Sequence, residues 1–439
     1  MTNKKASIVI AVVIVGLALT GPVLAGDWPH WRGPFLNGSS DEKNLPETWS
    51  TTQNVAWRAS LPGRSSATPV IVSGKVFVSS TERDSDNLFA LCFDAKSGKE
   101  LWRRRLAASS RQVPRNNMAT SSPVADSERV YFMYGSGELA ALDHGARRLW
   151  SRNIDAEYGN ISMKYGYSSS PLLYDGRLYI LVQRRNRTYR APDSSDLDAF
   201  ILAVDASTGE NVWKQTRVTD AVNESQDSYS SPLLYENNER DEILVIGADY
   251  VTATDPASGK EFWRYGYARR KDPKWRNISS PGFGGGLIYG ARPRGGTGLF
   301  ALKGGGQGNL GDGHVAWEFN GPTPDVCTPL YYKGNLYVLD GKGRSGAVLT
   351  CLDAATGRQK WQGKLGGRTP PWRASVTAAD DKLYCISESA EAVVLAAGGD
   401  EFKILSRIDM EDKPVQASIA IADGRLFIRT ANLLYCISD

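Results

Sequence analysis

The stretch Asp94-Ala95-Lys96-Ser97-Gly98-Lys99-Glu100-Leu101-Trp102 decides the fold, because near copies of it return along the chain. The copies read DASTGENVW at 205–213, DPASGKEFW at 255–263 and DAATGRQKW at 353–361. In each copy the aspartate can accept backbone N–H groups and the glycine tolerates positive φ, which together predict a tight turn. The tryptophan that follows is expected to cover apolar surface between neighbouring sheets. We therefore interpret Asp94 and Trp102 as structural rather than catalytic.

Two markers repeat at intervals of roughly fifty residues, which is the spacing of a repeat architecture. The first is a tryptophan, at Trp57, Trp102, Trp150, Trp213, Trp263, Trp317 and Trp361. The second is a serine or threonine that opens an apolar strand, at Thr68, Ser122, Ser170, Ser231, Ser280, Thr328, Ser375 and Ser418. Eight markers of the second kind predict eight units.

Each unit has the pattern of four antiparallel strands. In SSPLLYDGRLYILVQ, residues 169–183, a strand at 171–174 meets a tight turn at Asp175-Gly176 and a second strand follows. FILAVDA at 200–206 is a third strand, and a fourth ends on Trp213. Four-stranded sheets repeated radially predict an all-β, eight-bladed β-propeller.

The chain ends predict how the ring closes. LLYCISD at 433–439 aligns with third strands of other units, so the last unit lacks its fourth strand. Residues 55–58 have a fourth-strand pattern but precede the first unit, and we expect them to complete the last blade. Two units are degenerate: the fifth has a glycine-rich insert before Trp317, and the seventh has Leu405 near the expected tryptophan position. The predicted domains are an N-terminal extension at 26–53 and one propeller at 54–439.

The first 25 residues have the pattern of a cleavable signal peptide. Lys4 and Lys5 precede an apolar run from Ile8 to Leu19, and the small residue Ala25 suits cleavage. A periplasmic or secreted protein is therefore expected, with no stable membrane insertion after cleavage; an uncleaved anchor is the alternative. The net charge of +4 gives no argument for nucleic acid. Four of the five cysteines lie in apolar strand patterns, which predicts buried thiols, although one disulfide stays conceivable.

The repeated phrase resembles the tryptophan-docking motif of the pyrroloquinoline-quinone-like propeller superfamily. Its members include quinoprotein alcohol dehydrogenases and the propeller lipoprotein of outer-membrane barrel assembly. DWPHWRGPFLNG, residues 27–38, also looks like the mature start of exported propellers of this kind. The resemblance covers about 27–439 and implies the fold but not the activity. No cysteine lies near Ala25, so the lipid-modified cysteine of the lipoprotein is missing.

A functional face is predicted where the loops are long. The loops from each outer strand to the next inner strand share one face with the loops between second and third strands, and include 103–120, 151–167, 183–198 and 264–278. We call this the long-loop face, and the opposite one the turn face. Runs of basic residues begin on these loops at Arg103, Arg184 and Arg269. Long loops on a rigid scaffold are where binding usually resides, although a solvated surface explains the charges as well.

Several side chains that precede the inner strands are expected to approach a central funnel. They are Asn117, Tyr167, Tyr229, Trp275, Arg276, Asn277, Asp325, Trp372, Arg373 and Gln416. Aromatic, arginine and carboxylate groups of this kind could hold a small planar ligand by stacking and charged hydrogen bonds. Structural packing at the mouth explains the same residues, so they are candidates for ligand binding.

Catalytic constellations find little support. The three histidines, His30, His144 and His314, are too scattered for a zinc site or a catalytic triad. The resemblance to quinoproteins implies pyrroloquinoline quinone with calcium, held by carboxylates that would here be Asp227 or Asp325. The vicinal cysteine pair of many such enzymes does not occur in the sequence.

The function that the sequence predicts is therefore binding. We expect an exported, non-catalytic, monomeric propeller that binds a protein or envelope component on the long-loop face. No catalytic residue, metal site or resident cofactor is predicted. A quinoprotein dehydrogenase is the first alternative, and carbohydrate or polyanion binding is the second.

Overall fold

The computed structural model describes residues 26–439 apart from 110, 112, 160, 187–197, 238, 296, 344–345 and 368–370. The predicted signal peptide therefore lies outside the described residues. Within them, no helix is long and apolar enough to cross a membrane.

Eight antiparallel sheets of four strands, which we number as blades 1 to 8, form the propeller that the repeats predicted. From inner to outer strand, blade 1 is Val70–Val72, Lys75–Thr81, Asn87–Asp94 and Glu100–Ala108; blade 2 is Val124–Ala125, Arg129–Met133, Glu138–Asp143 and Arg148–Asn153; blade 3 is Leu172–Tyr174, Arg177–Gln183, Ala199–Asp205 and Asn211–Thr216; blade 4 is Leu233–Glu236, Asp241–Gly247, Tyr250–Thr254 and Glu261–Gly266. Blade 5 is Gly282–Gly284, Leu287–Ala291, Leu299–Lys303 and Val315–Phe319; blade 6 is Leu330–Tyr332, Asn335–Gly343, Gly346–Asp353 and Gln359–Gly366; blade 7 is Thr377–Ala379, Lys382–Ile386, Glu391–Ala396 and Ile404–Asp409; blade 8 is Ala420–Ala422, Arg425–Arg429, Leu433–Ile437 and, outermost, Val55–Ser60.

Short elements outside the blades are an α-helix at Ile154–Tyr158, 3-10 turns at Asn223–Gln226 and Asp312–His314, and the parallel pair Ile161–Ser162 and Arg185–Asn186.

The N-terminal strand closes the ring, as the sequence predicted. Val55–Ser60 pairs antiparallel with Leu433–Ile437, and the register places Trp57 opposite Cys436. This pairing covers the edge that blade 8 would otherwise expose.

The marker tryptophans dock between neighbouring blades. Trp57, Trp102, Trp150, Trp213 and Trp317 each donate the indole N–H to a carbonyl of the next blade's turn, over 2.9–3.1 Å. The turn glycine is packed against the ring: at Gly98, where φ is +70°, an added Cβ would lie 2.5 Å from an atom of Trp57. Trp361 instead packs edge-on against Phe402 of blade 7. Together these contacts explain why tryptophan and glycine recur at fixed spacing.

Trp263 departs from this pattern because of the glycine-rich insert. Residues Gly308–Leu310 of the insert pair in parallel with the outer strand of blade 4 and add a fifth strand to it. Trp263 is fully buried there and donates to Glu242 Oε2 over 2.9 Å. The insert therefore covers a sheet edge.

The N-terminal extension crosses the turn face and returns to blade 8. Asp27 accepts from the N–H of Ser73 in an inner turn of blade 1, and Trp28 pairs with Ile71. Further along, Ser39 pairs with Ala378 of blade 7. Between these contacts, Leu36 packs against the core of blades 3 and 4 and Trp31 lines the channel cavity, so this part of the chain crosses the mouth of the central channel.

The thiols are buried and unpaired, as four of them were predicted to be. All five cysteines are free and buried: Cys92, Cys327, Cys351, Cys385 and Cys436. Burial raises the pKa of the Cys327 thiol to about 12, so these thiols are packing groups rather than reactive ones.

Candidate functional site

The eight serine and threonine markers form a closed ring of hydrogen bonds around the channel, which we call the hydroxyl ring. The backbone N–H of each marker donates to the side-chain oxygen of the next, over 2.9–3.2 Å, and the N–H of Ser418 closes the circle on Thr68. The ring joins every blade to its neighbour. This geometry explains why a short hydroxyl residue recurs at the start of each inner strand.

The funnel lies on the long-loop side of the hydroxyl ring. Its cavity has a volume of about 180 Å³. The lining consists of arginine, tyrosine and aliphatic side chains together with polar residues such as Ser66 and Gln416. A second cavity of about 140 Å³ continues from it through the hydroxyl ring and ends at Trp31. Both are lined by Tyr229, Ile278 and Arg373. The funnel and the channel therefore form one continuous space.

Six of the ten candidate residues from the sequence reach this space. Tyr229, Arg276, Asp325, Arg373 and Gln416 line the funnel, and Asn117 lines the wider mouth outside it.

The other four candidates are not among the residues that line the funnel or its mouth, because each packs elsewhere. Tyr167 is buried, donating to the carbonyl of Leu181, because its loop folds back onto blade 3. Trp372 is buried in the core between blades 6 and 7. Trp275 is only 9% exposed and lies under Arg270. Asn277 is buried and its backbone pairs with residues 227–229.

The funnel charges are organised in two groups. Arg276 and Lys164 both contact Glu224, at 3.1 and 3.2 Å, and both lie over the ring of Tyr165. Arg373 pairs with Glu388, which also accepts from the amide of Gln416 over 2.6 Å. These carboxylates are thus already engaged by cations and amides.

Arg115 adds a cation to the funnel lining. Its backbone has a φ of +64°, which turns the long loop before blade 2 at this point. Asp325, on the opposite wall, accepts from the N–H of Arg294 over 3.1 Å. With three arginines on its wall, the funnel is suited to an anionic group.

The end of the channel is built by residues that the sequence analysis did not single out. Trp31 lines the cavity, and the Arg32 guanidinium lies 5.5 Å from the centroid of its ring. Arg32 is fully buried and donates to the carbonyls of Val376 and Asn37. Burial lowers the pKa of Arg32 to about 9 and that of His30 to about 3. The only sign of this cluster in the sequence is that polar and aromatic residues stand close together within DWPHWRG, residues 27–33.

The basic runs of the long-loop face are placed differently from the prediction. Arg103 and its two successors belong to the outer strand of blade 1, and Arg103 pairs with Glu100. Arg184 pairs with Asp198. The rest of that second run, from 187 onward, lies outside the described residues. In the third run, Arg269 pairs with Glu318 and Lys271 with Asp220, and both side chains stay exposed. Accessible basic surface therefore also lies outside the funnel.

The funnel does not fit calcium-bound pyrroloquinoline quinone. Among the described residues, no group of three or more histidine, cysteine or acidic side chains is placed to hold a metal ion. Glu224 and Glu388 already have cationic partners. Asp227 is fully buried, and burial together with the Asp227 charge raises the pKa of Tyr229 well above its usual value.

Comparison with characterised proteins relates the chain to two enzymes. It is 27% identical over 216 residues to a protein named Polyvinylalcohol dehydrogenase from Pseudomonas sp, covering 45% of this chain and 32% of that relative. It is 25% identical over 362 residues to a protein named Tetrathionate hydrolase from Acidithiobacillus ferrooxidans, covering 68% of this chain and 66% of that relative. The chain thus spans less than two thirds of the length of each.

Solved structures share the fold. A quinohemoprotein alcohol dehydrogenase from Comamonas testosteroni superposes with a TM-score of 0.65 at 14% identity, covering 94% of this chain and 80% of that one. BamB from Moraxella catarrhalis superposes with a TM-score of 0.59 at 13% identity, covering 88% and 99%.

A family model described as "Outer membrane protein assembly factor BamB" matches residues 40–220 and 247–402. These segments run from blade 1 to the third strand of blade 7, apart from 221–246, which hold nearly all of the first two strands of blade 4. The chain therefore belongs to this family of pyrroloquinoline-quinone-like propellers.

Proposed function

We propose that this protein is an exported, non-catalytic, monomeric propeller that binds an acidic protein or envelope component at the long-loop face. The observation that carries the proposal is the lining of the funnel. Arg115, Arg276 and Arg373 converge there. Arg276 shares Glu224 with Lys164, and Arg373 pairs with Glu388; together with Asp325 in the lining, these groups leave one positive charge in excess. A partner with acidic groups would find complementary charge and aromatic surface, a combination that favours protein recognition.

The family description supports an envelope location, because it refers to outer-membrane protein assembly. The signal-peptide pattern at 1–25 agrees with export. The relatives' names favour a second candidate, a quinoprotein dehydrogenase, since one is a polyvinylalcohol dehydrogenase. The pairing of the funnel carboxylates makes this candidate the weaker one.

Site-specific photo-crosslinking in cells tests the proposal. A photoreactive residue at position 115 lies at the funnel, whereas the same residue at 175 lies in an exposed turn on the opposite face. We expect a discrete cross-linked species at 115 and none at 175, and at least a tenfold loss of it when Arg276→Gln and Arg373→Gln are combined. Equal cross-linking from both faces, or a yield unchanged by the double variant, contradicts the proposal. A polysaccharide in place of a protein in the cross-linked species would favour polyanion binding.

A further inference from the structure

We propose that the closed end of the channel, between the hydroxyl ring and Trp31, binds a small oxoanion or the oxoanion end of a slim ligand. The ligand would enter from the long-loop face. This inference concerns a site inside the propeller and does not require the partner proposed above.

The hydroxyl ring supplies hydrogen-bond donors. Each ring oxygen accepts one backbone N–H, which fixes its position and leaves the hydroxyl hydrogen available. All eight side chains line the channel cavity and are only 3–7% exposed. In the described part of the chain, the structure gives no acceptor for any of these eight hydroxyl hydrogens. Buried donors without acceptors are costly, and an anion in the channel would satisfy several of them.

The end of the channel is a second, independent source of donors and positive charge. Trp31 lines the cavity, and its Nε1 is buried without a hydrogen-bond partner. Behind it, the fully buried Arg32 has an unpartnered Nε, and no carboxylate among the described residues forms an ion pair with it. A buried cation without an acidic partner raises the potential in a nearby low-dielectric cavity. An anion placed above Trp31 would therefore be attracted by Arg32.

Arg373 closes the site from above. Its side chain lines both the funnel and the channel, and its pairing with Glu388 holds the guanidinium at the junction of the two. A fixed guanidinium of this kind recognises oxoanions by paired hydrogen bonds. The site thus has a cation at each end and hydroxyl donors between them.

The size and chemistry of the cavity restrict the ligand. Its volume of about 140 Å³ is several times the roughly 10–15 Å³ that a cavity needs to hold one water molecule. That volume admits a sulfate-sized oxoanion, or a carboxylate with a short tail, but not a folded segment. Cations are disfavoured because Arg373 lines the cavity, the buried Arg32 lies next to Trp31, and the indole N–H of Trp31 can only donate. The apolar walls at Ile278 and Val326 suit a ligand with an apolar stem.

Calorimetric titration of the purified protein with sodium sulfate, and separately with sodium acetate, tests this site at constant ionic strength. Three variants are compared: Arg373→Gln removes the upper cation, Trp31→Phe removes the indole N–H together with part of the ring, and Arg147→Gln is the control. Arg147 lies in an exposed turn and pairs with Asp143. Melting temperatures of all variants establish that they are folded.

We expect one saturable sulfate site per chain, weakened at least tenfold in Arg373→Gln and about threefold or more in Trp31→Phe, and unchanged in Arg147→Gln. Stronger binding of acetate than of sulfate would identify a carboxylate as the natural group, and the reverse a tetrahedral oxoanion. The absence of saturable binding of either anion overturns the inference, as does an affinity in folded Arg373→Gln equal to that of the control. Because no partner is present, this result is independent of the cross-linking outcome.

Discussion

Asp249 is the position where a single substitution should stabilise the protein in a pH-dependent way. It lies in the hairpin turn between the second and third strands of blade 4, with a φ of +68°. Its side chain is 3% exposed, neither carboxylate oxygen has a hydrogen-bond partner, and Lys271 Nζ lies 3.8 Å away. Burial raises the pKa of this carboxyl from 3.8 to about 6, against the opposing effect of Lys271 and with help from Asp220 and Asp272.

The sign of the effect follows from these values. The pKa of Asp249 is higher in the folded state than in the unfolded state, so the folded state binds this proton more tightly. The stability that the bound proton contributes is present below about pH 4 and is lost as the pH rises through about 6. The difference of about 2 pKa units corresponds to about 3 kcal/mol at pH 7.5. Asn has the same shape, tolerates positive φ and carries no charge. Asp249→Asn should therefore raise the free energy of unfolding by about 2–3 kcal/mol at pH 7.5, and by less than about 0.5 kcal/mol at pH 4.

Guanidinium denaturation at both pH values, followed by tryptophan fluorescence, measures this difference. Asp175→Asn is the matched control, since Asp175 also has a positive φ, +48°, in a strand-connecting turn but is exposed. We expect that control to change stability by no more than about 0.5 kcal/mol at either pH. An Asp249→Asn variant no more stable than the parent at pH 7.5, or equally stabilised at pH 4, would refute the reasoning.

Two further predictions concern the blade contacts. Trp263→Phe should cost about 2–4 kcal/mol, because it leaves an oxygen of the buried Glu242 without its donor. Trp150→Phe should cost about 1 kcal/mol, because its acceptor is a neutral backbone carbonyl, that of Ala206, in a partly buried bond. Equal costs of the two variants in urea denaturation would contradict this. Gly98→Ala should destabilise the protein by about 1–3 kcal/mol more than Gly74→Ala. Both glycines have a φ of +70°, but only Gly98 packs against a tryptophan. Equal melting temperatures of the two variants would contradict this packing argument.

The propeller could be predicted because its signals are local and repeated. Most turns before the outer strands have an aspartate and a glycine, seven of the eight blades have a marker tryptophan, and each inner strand starts at a ring hydroxyl. The closing strand at 55–60 was also predictable, since the last unit lacked one strand. The repeats in the sequence were therefore enough to predict which strands pair, without any information on contacts between distant residues.

The site was only partly predictable because it depends on contacts that no local pattern specifies. Position before an inner strand correctly brought Arg276, Arg373 and Gln416 to the funnel. The same criterion failed for Tyr167 and Trp372, whose loops fold inward so that the large rings are buried in blade cores. The closure of the channel by Trp31 depends on the extension pairing with both blade 1 and blade 7, which sequence spacing cannot reveal.

The strand formed by the glycine-rich insert is a similar case. Its pairing is parallel and to the preceding blade, whereas the sequence suggested only a degenerate unit. Glycine-rich segments have weak strand propensity, so the pairing is determined by the edge that blade 4 offers rather than by the insert itself.

The central claim is that the funnel binds anionic groups and does not catalyse a redox reaction. Titration of the purified protein with pyrroloquinoline quinone and calcium tests it most directly, with dye reduction measured in the presence of an alcohol or a sugar, in the parent and in Asp325→Asn. The account predicts no dye reduction above the protein-free background in either protein. Saturable dye reduction by the parent that Asp325→Asn abolishes would contradict the account and identify a quinoprotein dehydrogenase.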